Sequence, residues 1–168
     1  CQRNAEERGE SLDIAFIVGV HPAFAIGALS LAPFDVDEYD VIGGMIQEAI
    51  PLVRSETVSL EVPAHAEFVL EGQILPNVRE EEGPFGEFTG HAVGVRRNHV
   101  AEITGLTSRR MPLYQDIFTG HSEQRLMGSI PREAAIFRAV KAVAAGTRAV
   151  HMPTSGCSRF HCYIALDK

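Results

Sequence analysis

The chain has no tryptophan, only three cysteines, and aromatic residues make up just 7% of its 168 positions. Three cysteines (Cys1, Cys157 and Cys162) are too few, and odd in number, for a disulfide framework, which fits a reducing compartment. No apolar run approaches the roughly 18 residues a membrane helix needs, and "CQRNAEERGE" has neither the basic start nor the apolar centre of a signal peptide. A soluble cytoplasmic protein without a membrane partner is therefore expected. Positive charge is also scarce: 15 Lys and Arg against 22 Asp and Glu leave a net charge of -7, with the basic residues scattered. That balance argues against nucleic acid as a partner. What is present is a globular composition, 45% hydrophobic and 22% charged, in a chain long enough to bury a sizeable core. With no repeat, low-complexity tract or obvious linker, residues 1–168 are expected to form a single domain. The chain opens on Cys and runs through a polar, helix-like lead straight into apolar sequence, which reads as a segment of something longer.

"LDIAFIVGV" (12–20) is a continuous apolar run of strand length, as for a strand covered on both faces. "HPAFAIGALSLAP" suits a short helix or a tight loop, and "DEYDVIGGMIQEAI" has helical spacing with Asp37 as N-cap, weakened by Gly43 and Gly44. From residue 52 the period changes. "VRSETVSLEV", "AEFVLEGQIL", "EFTGHAVGV", "HVAEITGLTS" and "PLYQDIF" read as closely spaced strands of an antiparallel barrel or sandwich. "PREAAIFRAVKAVAAG" predicts a helix with Pro131 in its first turn, Glu133 at its positive end, a stripe of Ile136, Val140 and Val143, and Gly146 as its stop. "RAVHMP" and "RFHCYIAL" read as two last strands.

The stretch "EEEGPFGEFTGH" (80–91) concentrates the chemistry. Glu82 and Glu87 are five apart and would face opposite ways on a straight strand, but Gly83, Pro84 and Gly86 permit a turn that brings both to one side. Converging carboxylates push at least one pKa upward, which makes a Glu a proton donor near neutral pH. A solvated turn with its charges kept apart explains the same residues and is the favoured reading on composition alone. Asp35, Asp37, Glu38 and Asp40 could hold a divalent ion, although the EF-hand pattern fails and helix capping accounts for most of them. His151, Cys157, His161 and Cys162 match no zinc spacing. His91 and His121 each follow a Thr-Gly turn, where an exposed turn residue competes with a ligand contact.

Taken in order, "AEERGESLDIAFIVGVHPAFAIGALS", "DEYDVIGGM", "EVPAHAEFVLEGQILP", "EEGPFGEFTGH", "PLYQDIFTG" and "GSIPREAAIFRAVK" resemble the UbiD family of decarboxylases over nearly the whole chain. The most specific part is "VPAHAEFVLEG" followed by "EGPFGEFTG". The resemblance implies an α+β fold whose flavin-binding core is a split β-barrel, mostly antiparallel, with flanking helices. It also implies reversible, non-oxidative decarboxylation of an aromatic or α,β-unsaturated acid with prenylated FMN, supplied by a flavin prenyltransferase. By motif position, Glu87 is implied as the acid/base that protonates the product carbon and Glu82 as its partner in a Glu-Arg-Glu network. Glu38 is implied as a ligand of the Mn²⁺ or Mg²⁺ that clamps the cofactor phosphate. Ala28, Leu29, Ser30 and Thr119 fall in the cofactor-binding set, the first three close to a K⁺ ion.

The network arginine and the Asn and His of the metal site fall before Cys1 in the family, and a cofactor-contacting lysine and the assembly helix fall after Lys168. Family members tend to carry Tyr at the position of His91 and Arg at that of His121. The segment is therefore expected to be incomplete for catalysis and to join its flanking regions or form a homo-oligomer. Two rivals are a non-catalytic flavin-binding or assembly module and, more weakly, a metal-dependent hydrolase built on "DVDEYD".

Overall fold

The computed structural model describes residues 2–33 and 35–168. Its contacts gather into two compact units built from interleaved stretches of chain: Cys1–Val20, Pro51–Phe85 and Val93–Asp116 in the first, His21–Ile50, Gly86–Ala92 and Ile117–Lys168 in the second.

The first unit is a sheet. Helix α1 (Gln2–Glu7) leads into β1 (Leu12–Val18), which pairs antiparallel with β4 (Phe68–Glu82), and β4 pairs antiparallel with β5 (Arg96–Ser108) in the order β1-β4-β5. The alternation in "AEFVLEGQIL" places Val69 on the side that also buries Val62 and Ala66, with Ala15, Ile17 and Val20 packed against them. β1 differs from expectation. None of its residues is buried and Phe16 is 49% exposed, so its two faces are not both covered, and among the described strands it pairs with β4 alone: an apolar run does not reveal what will pack on its faces. "VRSETVSLEV" is a short hairpin, β2 (Leu52–Arg54) and β3 (Glu61–Pro63), whose connection is clamped by Glu71 of β4. That carboxylate is 1% exposed and accepts the N–H of Glu56 (3.0 Å), the N–H of Thr57 (2.6 Å) and the Thr57 hydroxyl (2.8 Å). Burial pushes its pKa up, but bonds from Glu56, Thr57 and Val58 outweigh burial and hold it below the usual carboxylate value.

The acidic run is the end of a strand, not a turn: Glu81 lies opposite Arg97 and Glu82 opposite Arg96 across the β4–β5 ladder. "PLYQDIF" is irregular. Glu67 accepts the N–H of Leu113 (3.0 Å) and binds Arg109 (3.0 Å), taking a donor that a ladder would need.

The second unit is mainly helical: α2 (Ala23–Gly27), α3 (Glu38–Ile46) and α4 (Ser122–Val143), followed by the antiparallel pair β6 (Thr147–His151) and β7 (Tyr163–Leu166) around a 3₁₀ turn at Thr154–Gly156. Asp37 caps α3 as expected, accepting the Tyr39 N–H at 2.8 Å, and α3 runs through both glycines. α4 starts earlier than the propensities suggest, so Pro131 lies inside it. Its buried face is Gly128, Ser129 and Pro131, while Val143 of the expected stripe is 88% exposed. Packing has overridden propensity there. Glu133 is not at the helix start but binds the N–H of Met152 (2.6 Å) and meets His151 Nδ1 (3.3 Å), tying α4 to the end of β6. The fold is thus α+β, and every pairing among the described strands is antiparallel.

Candidate functional site

Residues 86–92 form a narrow loop closed by an isolated bridge between Gly86 and Ala92. The Glu87 N–H donates to the His91 carbonyl (2.9 Å) and the Gly90 N–H to the Glu87 carbonyl (2.9 Å), so the backbone on either side of the Glu87 side chain is pinned. Gly90 (φ +86°) and Gly120 (φ +75°) make the return possible, and they touch: a Cβ on Gly120 would come within 2.9 Å of the Gly90 Cα. The "EFTGHAVGV" stretch is therefore this loop and not a strand. Thr119 lies against it, its Cγ2 3.2 Å from where a Gly86 Cβ would stand. Glu87 itself is half-buried, with the Phe88 N–H 3.3 Å from its Oε2.

Two elements brace the loop from behind. Arg125 of α4 donates Nε–H to the Phe88 carbonyl at 3.0 Å, and the Arg159 guanidinium lies 4.4 Å over the Phe88 ring, which also tilts against Phe160 at 5.7 Å. Sequence reasoning did not single out Arg125, Arg159 or Phe88. The strand expected from "RFHCYIAL" does not reach Arg159 and Phe160: positive φ at Cys157 and Ser158 turns the chain there and β7 starts only at Tyr163. Of the metal-ligand residue types there, Cys157 is half-buried and Cys162 exposed, both as free thiols.

Glu82 belongs to the first unit, exposed at the end of β4 and hydrogen-bonded by the Asn98 amide. Ala28, Leu29 and Ser30 follow α2. Leu29 and Ser30 N–H groups donate to Ile26 and Gly27 carbonyls, and the Ser30 hydroxyl to the Ile26 carbonyl (3.1 Å). Those donors are engaged, and a helix C-terminus presents carbonyls, so the stretch suits a cation and not a phosphate directly. Glu38 is exposed in the first turn of α3. Among the described residues no group of three or more His, Cys, Asp and Glu comes together to hold a metal ion, so the residues present do not themselves make a divalent site. The hydrolase reading has no ligand set among the described residues. Nor is any described helix long and apolar enough to cross a membrane.

Residues 1–122 match the family described as UbiD, 3-octaprenyl-4-hydroxybenzoate carboxy-lyase Rift-related domain. The chain belongs to the UbiD family. It is 37% identical over 99% of its length to the anhydromevalonate phosphate decarboxylase of Methanothermobacter thermautotrophicus, covering 39% of that protein. Identity to the phenolic acid decarboxylase of Bacillus subtilis is 38% over 70% of this chain and 25% of the relative. Among solved structures it matches an evolved dimeric form of the UbiD-class enzyme HmfF from Pelotomaculum thermopropionicum in complex with prFMN, with a TM-score of 0.97 and 38% identity over 99% of this chain and 39% of that one. The chain thus spans well under half the length of these UbiD relatives.

Proposed function

We propose that this UbiD chain takes part in the reversible, non-oxidative decarboxylation of an aromatic or α,β-unsaturated acid with prenylated FMN, Glu87 giving the proton to the product carbon and Glu82 acting as its partner carboxylate. The observation that carries this reading is Glu87 itself. Its backbone is fixed by two hydrogen bonds while its carboxylate, half-buried, retains lone pairs to take up and release a proton. Support for the chemistry comes from the relatives, two named for decarboxylation and one solved with prFMN bound.

The cofactor supplies the electron-accepting chemistry that carbon dioxide loss requires. The chain would contribute Thr119 and the Ala28–Ser30 backbone to holding it, the latter through carbonyls suited to K⁺. Glu38 would offer one ligand to Mn²⁺ or Mg²⁺. The remaining ligands would come from beyond the described residues. In this reading the β1-β4-β5 sheet is part of a split barrel, the segment is incomplete alone, and exposed Met111, Leu113 and Tyr114 meet flanking regions or a second copy in a homo-oligomer. A flavin prenyltransferase supplies the cofactor, in the cytoplasm. The rival is a flavin-binding or assembly module without activity, which the incomplete metal ligand set favours.

The test is carbon dioxide release by the protein loaded with prenylated FMN and Mn²⁺, comparing parent and Glu87→Gln. Activity lost in the variant supports the assignment; unchanged activity refutes the role of Glu87. A parent that binds the flavin but stays inactive when the flanking regions are supplied as well favours the module.

A further inference from the structure

Beyond its own backbone bonds, the 86–92 loop is gripped by the start of α4. The half-buried Arg125 side chain donates Nε–H to the Phe88 carbonyl at 3.0 Å, and its Nη2 lies 3.6 Å from where a Cβ on Gly90 would stand. The loop's internal bonds use the carbonyls of Glu87 and His91, which leaves that of Phe88 to Arg125. A guanidinium is planar and holds its donors in a fixed fork, so such a bond sets direction as well as distance. Phe88 is engaged on both sides of its Cα: its carbonyl takes the Arg125 bond, and its N–H donates to Glu87 Oε2 at 3.3 Å. Arg125 and the Glu87 carboxylate are thus joined by two hydrogen bonds through one residue. Arg125 is itself placed by the turn that opens α4. Its N–H donates to the His121 carbonyl at 3.2 Å, and neighbouring Gln124 Oε1 accepts the Gly120 N–H at 2.5 Å. Gly120 in turn packs on the loop, where a Cβ would stand 3.2 Å from the Glu87 carbonyl oxygen.

We propose that Arg125 is a positioning residue for Glu87: by holding the Phe88 carbonyl it sets the direction of the Phe88 N–H, and so aims the carboxylate that this N–H meets. The proposal rests on the reading of Glu87 as proton donor. It turns on the hydrogen bond and not on the charge of the guanidinium, since nothing in this geometry requires Arg125 to alter the ionisation of Glu87. A proton passes efficiently only between groups within about 3 Å of one another, and a loop that swings loses that reach without losing its fold.

Two substitutions separate the bond from the charge. In Arg125→Gln the amide Nε2 stands as many bonds from the backbone as the arginine Nε, so a donor for the Phe88 carbonyl is kept and the charge is lost; Arg125→Met keeps the length and loses both. The first readout is amide hydrogen exchange in the whole protein without cofactor. The Glu87 and Gly90 N–H groups, whose bonds close the loop, exchange about tenfold faster in Arg125→Met and near the parent rate in Arg125→Gln, while the β4–β5 ladder is unchanged. The second is turnover after loading with prenylated FMN and Mn²⁺: kcat falls about tenfold in Arg125→Met with KM unchanged, and Arg125→Gln recovers most of it. Loop exchange and kcat both at parent values in folded Arg125→Met overturn the proposal. Faster exchange with unchanged kcat overturns it too, by reducing Arg125 to a brace, as do equal losses of kcat in both variants, which make the charge decisive. Should Arg125→Met fail to fold, Arg125→Glu, equal in length to glutamine but presenting only acceptors, takes its place. If Glu87→Gln stays active, the donor reading fails, while hydrogen exchange still reports whether Arg125 fixes the loop.

Discussion

Glu71 on β4 is 1% exposed and takes three hydrogen bonds of 2.6–3.0 Å from Glu56 and Thr57, whereas among the described residues the carboxylate of half-buried Glu87 is hydrogen-bonded only by the N–H of Phe88, at 3.3 Å. The first carboxylate spends its lone pairs on closing the β2–β3 connection, and so is locked in the ionised form and useless for proton transfer. In the second, the hydrogen bonds go to the backbone around it, which fixes the side chain's origin and leaves its oxygens available. Burial alone therefore singles out the clamp and not the proposed proton donor. The functional candidate is the acid whose scaffold is satisfied while its carboxylate is not.

Two substitutions of the same kind separate these roles. Glu87→Gln should lower kcat by about 10²- to 10⁴-fold, the usual worth of a positioned acid/base, and change stability by no more than about 0.5 kcal/mol. Glu71→Gln should do the reverse, turning an NH₂ towards the Thr57 N–H and costing about 3 kcal/mol of stability, read from urea unfolding. Its pH dependence follows from the direction of its shift. Because the folded-state pKa lies below the ordinary 4.5, the contribution of Glu71 is complete above that value and disappears as pH falls through the lower folded value. Parent stability should decline steeply below about pH 4.5 and that of Glu71→Gln should lack this component; parallel acid profiles would refute the clamp.

How much of this contrast was legible beforehand differs by residue. Alternation located β4 and β5, and the Asp37 cap located α3, because these are local signals. Motif resemblance selected Glu87, while its physical setting stayed hidden: Gly90, Gly120, Thr119 and Arg159 come from three separate stretches of chain. Glu71 sits in an ordinary strand pattern, and nothing nearby in sequence says that residues 56–58, fourteen or so positions away, will present their N–H groups to it. The exposure of β1, Pro131 inside α4 and the irregular 112–118 stretch were likewise decided by tertiary partners.

Glycine substitutions sharpen the comparison more gently. Gly120→Ala forces a side chain into φ +75° and presses its Cβ to 2.9 Å from the Gly90 Cα, which is backbone and cannot rotate away. We expect a loss of about 1–2 kcal/mol together with reduced kcat, since the strain falls on the loop that carries Glu87. Unchanged stability and activity would mean that the loop yields easily and does not aim the carboxylate.

The smallest effect belongs to Gly105 on β5, and it tests whether the Glu71 clamp is a connected unit. An alanine Cβ there would stand 2.9 Å from Thr57 Cγ2 and 3.0 Å from its Oγ1. Thr57 can rotate away, but rotation moves the hydroxyl that donates to Glu71 at 2.8 Å. The cost should be about 1 kcal/mol, one hydrogen bond, partly offset by the reduced freedom of alanine in the unfolded chain. In a Thr57→Ala background both the bond and the obstruction are already gone, so Gly105→Ala should cost close to nothing there. Additive losses in this double-mutant cycle would show that Gly105 acts through backbone strain in β5 and not through the hydroxyl that holds Glu71.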